Sequence, residues 1–393
     1  MWDWALWSIA TAVGLALIAG WLREQSRHLA RLARVPIRVH VNGIRGKSTI
    51  TRYIAAALNA GGLATVAKTT GSATRLIAAD GTETPVHRIG APTILEQVSL
   101  LARALVPGTD AMVVECMALD PEYQRISETR MIRATDGIIA NVRHDHTEQL
   151  GDTLPAIARS LASTVPRNGV LYTAVQDEAL LQILRDAAFG EVVQVSPADV
   201  SDRDMDRFGP MEVAENVALA LAVARRHGVP RDTALRAMVE ARPDPGASAV
   251  ERIRTEAGTL HWVDLFSVND VASASKILAQ VRDDLGDLPV VLLLNTRSDR
   301  TARSADFSDW IGRDLPDVPV VETGDATDAA AARLRRRGAD ESGAFHVATH
   351  DDRTDLVRRL LALTGTTEAI AVGLANIHST DAARLRDRLE DAA

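Results

Sequence analysis

Nine residues, His40-Val41-Asn42-Gly43-Ile44-Arg45-Gly46-Lys47-Ser48, stand between an apolar β-like run and a helical pattern. A phosphate-cradling turn requires that placement. Gly43 and Gly46 let the backbone approach an anion and aim N–H groups at it, and a helix N-terminus follows. Lys47 is spaced to reach β- and γ-phosphates, and the Ser48 hydroxyl, with Thr49 behind it, to meet Mg2+. The general form G-x-x-x-x-G-K-[ST] asks for glycine at position 41, where this chain has Val41, so what stands here is the shorter G-x-x-G-K-S.

A further metal-binding carboxylate should come from the end of a neighbouring strand, and Val113-Val114-Glu115 places Glu115 after an apolar run. A third apolar run, Gly137 to Val142, delivers Arg143-His144-Asp145-His146. That is the C-terminal strand edge where open α/β sheets bind ligands. An Asp and two His beside a phosphate loop can ligate a second cation or orient one another.

Elements to position these residues are legible as short β-branched runs alternating with helical patterns, which predict βαβ units and a mostly parallel sheet. Strands are expected at Ile37–Val41, Ala111–Glu115, Gly137–Val142, Gly169–Thr173 and Val192–Val195. Helices are expected at Ser48–Ala60, Thr93–Leu105, Leu154–Thr164, Asp177–Ala187, Met211–His227 and Arg231–Glu240. The cluster Arg242-Pro243-Asp244-Pro245-Gly246 breaks the pattern and marks a domain boundary. A second α/β unit follows, with strands at Leu260–Asp264, Val290–Asn295, Val318–Glu322, Ala344–Ala348 and Ala369–Val372. The expected organisation is therefore an anchor and basic segment over 1–34, a nucleotide-binding α/β domain over 35–245, and a Rossmann-like α/β domain over 246–393.

The anchor is expected because Trp4 to Leu22 contains no charged residue and, at ~1.5 Å per residue, reaches ~28 Å, close to a bilayer's hydrocarbon thickness. Trp2, Trp4, Trp7 and Trp21 sit near its ends, and Arg23, Arg27, Arg31 and Arg34 follow it. This polarity predicts a single-pass cell-membrane protein with its N-terminus outside and its body in the cytoplasm. A cleaved signal would carry its positive charge before the apolar run, where only Asp3 stands.

Composition excludes other classes. A net charge of −8 over 393 residues argues against a nucleic-acid-binding body. A single cysteine, Cys116, permits no internal disulfide and no Cys-rich metal site, and suits a reducing compartment.

Gly43-Ile44-Arg45-Gly46-Lys47-Ser48, then Glu115, Asn141 with Asp145-His146, and Glu215-Asn216 together resemble the Mur ligase superfamily of ATP-dependent amide ligases. The match tightens in Ala67-Lys68-Thr69-Thr70-Gly71, Val114-Glu115-Cys116-Met117-Ala118-Leu119 and Pro243-Asp244-Pro245-Gly246. With the anchor, these stretches resemble the ligase-subunit family (PgsB/CapB) of poly-γ-glutamate synthase.

That resemblance implies ATP and Mg2+, or Mn2+, as cofactors and an acyl-phosphate route to an amide. It implies catalytic roles for Lys47, His146 and Asp145, with Ser48, Glu115 and His146 as metal ligands. It places Asn216 at the adenine and Asp264 at the ribose. Many Mur ligases carry a carbamylated lysine after the Asp-His pair, and Asp152 to Arg167 here contains none. Arg159 cannot replace it, because a guanidinium offers no metal-binding oxygen. An acidic growing polymer needs cationic contacts, for which Lys68, Arg75, Arg88 and Arg143 are the candidates, with Arg45 inside the loop. Expected partners are glutamate and the polymer, small membrane subunits of a synthase and export complex, and further copies of the chain. Two alternatives stand beside this reading: a ligase for another amino acid or acceptor, and a membrane-tethered NTPase regulator that makes no amide.

Overall fold

The computed structural model describes residues 3–70, 74–86, 93–208, 212–242, 250–266, 268, 270–298, 301–324, 342–348, 350–376 and 379–389. It divides into two compact units, one of residues 1–208 and 212–244, the other of 209–211 and 245–393.

The first unit is built on an eight-stranded sheet of order β4-β3-β2-β5-β1-β6-β7-β8. Its strands are β1 (Ile37–Asn42), β2 (Thr65–Lys68), β3 (Arg75–Ile77), β4 (Glu83–Pro85), β5 (Ala111–Glu115), β6 (Asp136–Ile139), β7 (Val170–Thr173) and β8 (Val192–Gln194). All neighbouring strands pair in parallel except at one edge, where β3 is antiparallel to both β2 and β4. β1 is flanked by β5 and β6, with Val41 opposite Glu115 and Asn42 opposite Ile139. Because these three strands are parallel, the segments after them leave at one edge, and that edge gathers the residues singled out above.

Strands buried on both faces read as unbroken apolar runs, and Val39, Val41, Val113 and Ile138 are accordingly 0–1% exposed. Helix α2 (Lys47–Ala60) follows β1 and turns Ile50, Ile54 and Leu58 inward, a 3.6-residue spacing that lays one stripe against Val217 and Leu221 of the helix Ala214–Arg226. Each such side chain stabilises by about 1.5–3 kcal/mol.

The second unit has a six-stranded sheet, β13-β12-β11-β14-β10-β9. Its strands are β9 (Val250–Thr255), β10 (Gly258–Leu265), β11 (Val290–Thr296), β12 (Val320–Gly324), β13 (Ser342–Ala344) and β14 (Glu368–Leu374). Only β9 is antiparallel.

Several expectations shift. The short strands β2, β3 and β4 were not anticipated, since three or four residues carry too little periodicity to register, and neither was the six-residue β9, an edge strand rich in charged residues. The expected strand at Ala344–Ala348 is instead Ser342–Ala344. Pro121–Ile126, capped by Asp120, continues into a π-helix over Ser127–Ile132, a polar segment for which no element was predicted. The boundary cluster Pro243-Asp244-Pro245-Gly246 lies outside the described residues.

The N-terminal segment needs a correction. It forms one helix, α1 (Asp3–Leu32), but among the described residues no helix is long and apolar enough to cross a membrane. Arg23-Glu24 closes the uncharged run, and the last ten residues of the helix are mostly polar or charged. The helix is two things in series. Trp7, Leu15, Leu17 and Trp21 are 62–74% exposed, whereas His28, Leu32 and then Val35 are buried against the first unit. The His28 ring meets the Met131 carbonyl at 2.8 Å.

Candidate functional site

β1 ends at Asn42, and the chain turns through two glycines with positive φ, Gly43 at 130° and Gly46 at 83°. Both are required. A Cβ on Gly43 would lie 2.9 Å from the Ala140 nitrogen, and one on Gly46 would lie 2.4 Å from Asn216 Oδ1. Gly46 caps α2 with no side chain bonded to the helix's first N–H groups, so they face outward with the positive end of the helix dipole. Val41, where the longer motif has glycine, is a fully buried strand residue whose carbonyl accepts from the Cys116 N–H at 2.8 Å. The turn starts later than in the longer motif, so no flexibility is needed at position 41.

Lys47 Nζ donates to the carbonyls of Gly43 (2.8 Å) and Ile44 (3.3 Å), arching its ammonium over the loop. Asn141 holds the loop from β6's side: its Oδ1 accepts from the Arg45 N–H and its Nδ2 donates to the Arg45 carbonyl, both at 3.0 Å. Asn42 closes the base by accepting from the Gly43 N–H and donating to Gln124 and Thr164.

Behind the loop, buried His40 bonds Glu128 at 2.8 Å. Burial opposes its charge, but hydrogen bonds with Cys116 and Glu128 prevail and push its pKa up to about 9.

Glu115 ends β5 beside this turn. Its Oε2 accepts from the Ser48 hydroxyl at 2.8 Å and from the Thr70 N–H at 2.6 Å. Lys47, Thr70, Glu115, Gln124 and His146 line one cavity of about 290 Å3. Among the described residues no group of three or more His, Cys, Asp or Glu is placed to hold a metal ion. The pair Ser48–Glu115 nonetheless fits one hard cation whose remaining ligands are phosphate oxygens and water, the usual Mg2+ arrangement.

His146 reaches the cavity from the segment after β6, in a left-handed conformation with φ 49°. Its N–H donates to Asp145 Oδ1 at 2.9 Å, and Asp145 Oδ2 pairs with Arg45 at 3.2 Å. The phosphate loop and the Asp-His pair are thus tied together through Arg45. Thr49 lies half-buried in the first turn of α2.

The cationic candidates separate. Lys68 is fully buried at the end of β2, ion-paired with Glu96 at 3.2 Å and 3.9 Å from Met117 Sδ. This corrects its expected position facing the cleft and gives Glu96, in the first turn of its helix, a buried partner. Arg75 is half-buried, and its backbone pins Thr69. Arg143 is exposed. Arg88 lies outside the described residues.

Asn216 is buried, with its Nδ2 on Glu212 at 2.9 Å. Glu212 also accepts from the Tyr53 hydroxyl at 2.7 Å, and burial, then Glu212, pushes that phenol's pKa up and keeps it a donor. Asp264 belongs to the second unit, where its carboxylate accepts from the Phe266 N–H (2.9 Å) and pairs with Arg386 (2.8 Å).

Sequence reasoning assigned no role to Thr70, Gln124 or Asn42. Thr70 acts through its backbone N–H, which no side chain advertises. A polar residue ending an apolar strand was the one signal for Asn42.

Known proteins share this architecture. Residues 41–209 match the Mur ligase middle domain, and 250–392 match the poly-gamma-glutamate synthase CapB C-terminal domain. The chain is 37% identical over 292 residues to the capsule biosynthesis protein CapB of Bacillus anthracis, covering 72% of this chain and 62% of that protein. It is 31% identical over 383 residues, 95% of both chains, to the PGA synthase CapB of Bacillus subtilis (strain 168). Among solved structures, Mycobacterium tuberculosis folylpolyglutamate synthase complexed with ADP superposes with a TM-score of 0.62 at 17% identity, covering 98% of this chain and 99% of that one. MurF from Acinetobacter baumannii gives 0.61 at 14% identity, covering 94% and 79%. At such identities these two speak to the fold alone, but with the full-length relative and both domain matches, the chain belongs to the CapB family of the Mur ligase superfamily.

Proposed function

We propose that this chain is an ATP-dependent amide ligase that adds glutamate to a growing poly-γ-glutamate chain, releasing ADP and phosphate. The observation that carries this is the phosphate loop whose Lys47, Ser48–Glu115 pair and His146 meet around one cavity. The product is supported by the likeness to the PGA synthase CapB of Bacillus subtilis and by the match to the poly-gamma-glutamate synthase CapB C-terminal domain.

Loop N–H groups and the first turn of α2 bind the ATP phosphates. The Lys47 ammonium, held over the loop by two carbonyls, is positioned to follow the γ-phosphoryl group as it moves to a substrate carboxylate. An amine then attacks the acyl phosphate, forming the C–N bond of the amide as the C–O bond to phosphate breaks. Bound Mg2+ would neutralise phosphate charge; Ser48 and Glu115 would hold it, and His146, with Asp145 beside it, would ligate a second cation. Arg143 and Arg75 are the proposed contacts for the acidic chain. Lys68 orders Glu96 and the β2 end instead.

Residence at the cell membrane, beside small membrane subunits, is also a proposal. It rests on the exposed apolar half of α1 followed by arginines, and does not require that this helix span the bilayer.

The test is a product assay with purified chain, ATP, Mg2+ and single amino acids. Glutamate-dependent ADP release with an amide product is expected. Activity with another amino acid and none with glutamate would refute the substrate, and ATP hydrolysis without amide would favour a regulator.

A further inference from the structure

At the edge of the eight-stranded sheet opposite the phosphate loop lies a larger cavity, of about 500 Å3. Its lining includes five arginines, Arg38, Arg125, Arg130, Arg133 and Arg167, against one acid, Glu128. Glu128 offsets them only in part, because its two oxygens are also engaged by His40 and by the Ala134 N–H. Arg38 is fixed by the carbonyls of Arg133 and Val35 at 2.8 and 2.7 Å. Burial, then the neighbouring Arg133 charge, holds the Arg38 guanidinium below its ordinary pKa, against the pull of Glu128 and Asp136, and Arg125 pairs with Glu122 at 3.3 Å.

The lining also has an apolar part, Leu29, Leu32 and Ala33 from the last turn of α1 and its exit, with Thr129 and Asn168 beside it. From Leu22, where the exposed apolar half ends, to Leu29 is seven residues, or ~10 Å along the helix. Arginines and apolar side chains lining one cavity, a short distance along α1 from a lipophilic surface, suit a compact anion with an apolar neighbour better than an extended polycarboxylate. Guanidinium groups pair with phosphate oxygens in matched forks.

We infer that this cavity is a phosphate-binding site, filled by an anionic lipid headgroup or by a free phosphoanion, and separate from the nucleotide site. The lipid source rests on the membrane proposal above, and the free source does not.

The full chain in detergent, with its nucleotide site saturated by ADP and Mg2+, is titrated with pyrophosphate. In parallel it is sedimented with phosphatidylcholine vesicles containing or lacking phosphatidylglycerol. The double variant Arg130→Gln/Arg167→Gln alters two exposed side chains, so folding and glutamate-dependent ADP release should be unchanged. Loss of ligase activity in the parent would therefore touch the proposed function and not this site. A phosphatidylglycerol preference that falls on the order of tenfold in the variant identifies a lipid source. Pyrophosphate binding lost in the variant without a vesicle preference identifies a free phosphoanion. Equal behaviour of parent and variant in both arms overturns the inference, as does binding of poly-γ-glutamate with no binding of pyrophosphate or phosphatidylglycerol.

Discussion

Asn216 Oδ1 stands so close to Gly46 that a Cβ added there would lie 2.4 Å from it. The amide is not free to withdraw, because Glu212 holds its nitrogen and Tyr53 holds Glu212. The exit of the phosphate loop is therefore shaped by a helix more than 160 residues away in sequence.

Gly46→Ala should suffer twice, from a left-handed φ of 83° that costs an alanine about 1–2 kcal/mol and from the displaced amide. ADP affinity by calorimetry is expected to fall at least about tenfold, with a lower urea midpoint. Unchanged affinity would show that the close approach is incidental.

Lys47→Ala removes an ammonium bonded to two loop carbonyls, so the fold should persist. Amide formation should drop roughly a hundredfold or more. Circular dichroism reports the fold and product release the activity; retained turnover would refute its assigned role.

Glu115→Gln keeps acceptors for Ser48 and Thr70 but removes the charge a cation needs. The Mg2+ concentration for half-maximal rate should rise at least about tenfold, with much of the rate recovered at high Mg2+. An unaltered Mg2+ curve would dissociate Glu115 from the metal.

His40 gives a pH signature. Folding raises its pKa from 6.5 to about 9, so the stabilisation is fully present below pH 6.5 and is lost as pH rises through 9. The contribution is at most about 3 kcal/mol. Urea midpoints should decline over that window, and Glu128→Gln should flatten the decline; the same slope in both proteins would contradict the pairing.

Removing residues 2–22 should leave the first unit folded and free it from membranes, while removal through residue 34 should destabilise it, since His28 and Leu32 are core residues. Fractionation and thermal melting separate the two outcomes. Membrane association that survives the shorter deletion would point to a second contact surface.

Local chemistry was enough to single out the phosphate loop, Glu115 and the Asp145-His146 pair as candidates, because glycine, lysine and strand-end carboxylates act within a few residues of their own backbone. The alternation of β-branched runs and helical stripes announced both α/β units for the same reason. What the tertiary structure decided were relations between distant segments. Lys68 looked like a cleft-facing cation until the packing of β2 beside β5 buried it against Glu96. The apolar N-terminus read as a span, and whether its last turns dock on a core depends on Val66, Met112 and Met131, which contribute to that core from remote positions. Five arginines scattered from 38 to 167 carry no pattern along the chain. They become a site only because parallel strands begin at one edge, as those that hold the phosphate loop end at the other.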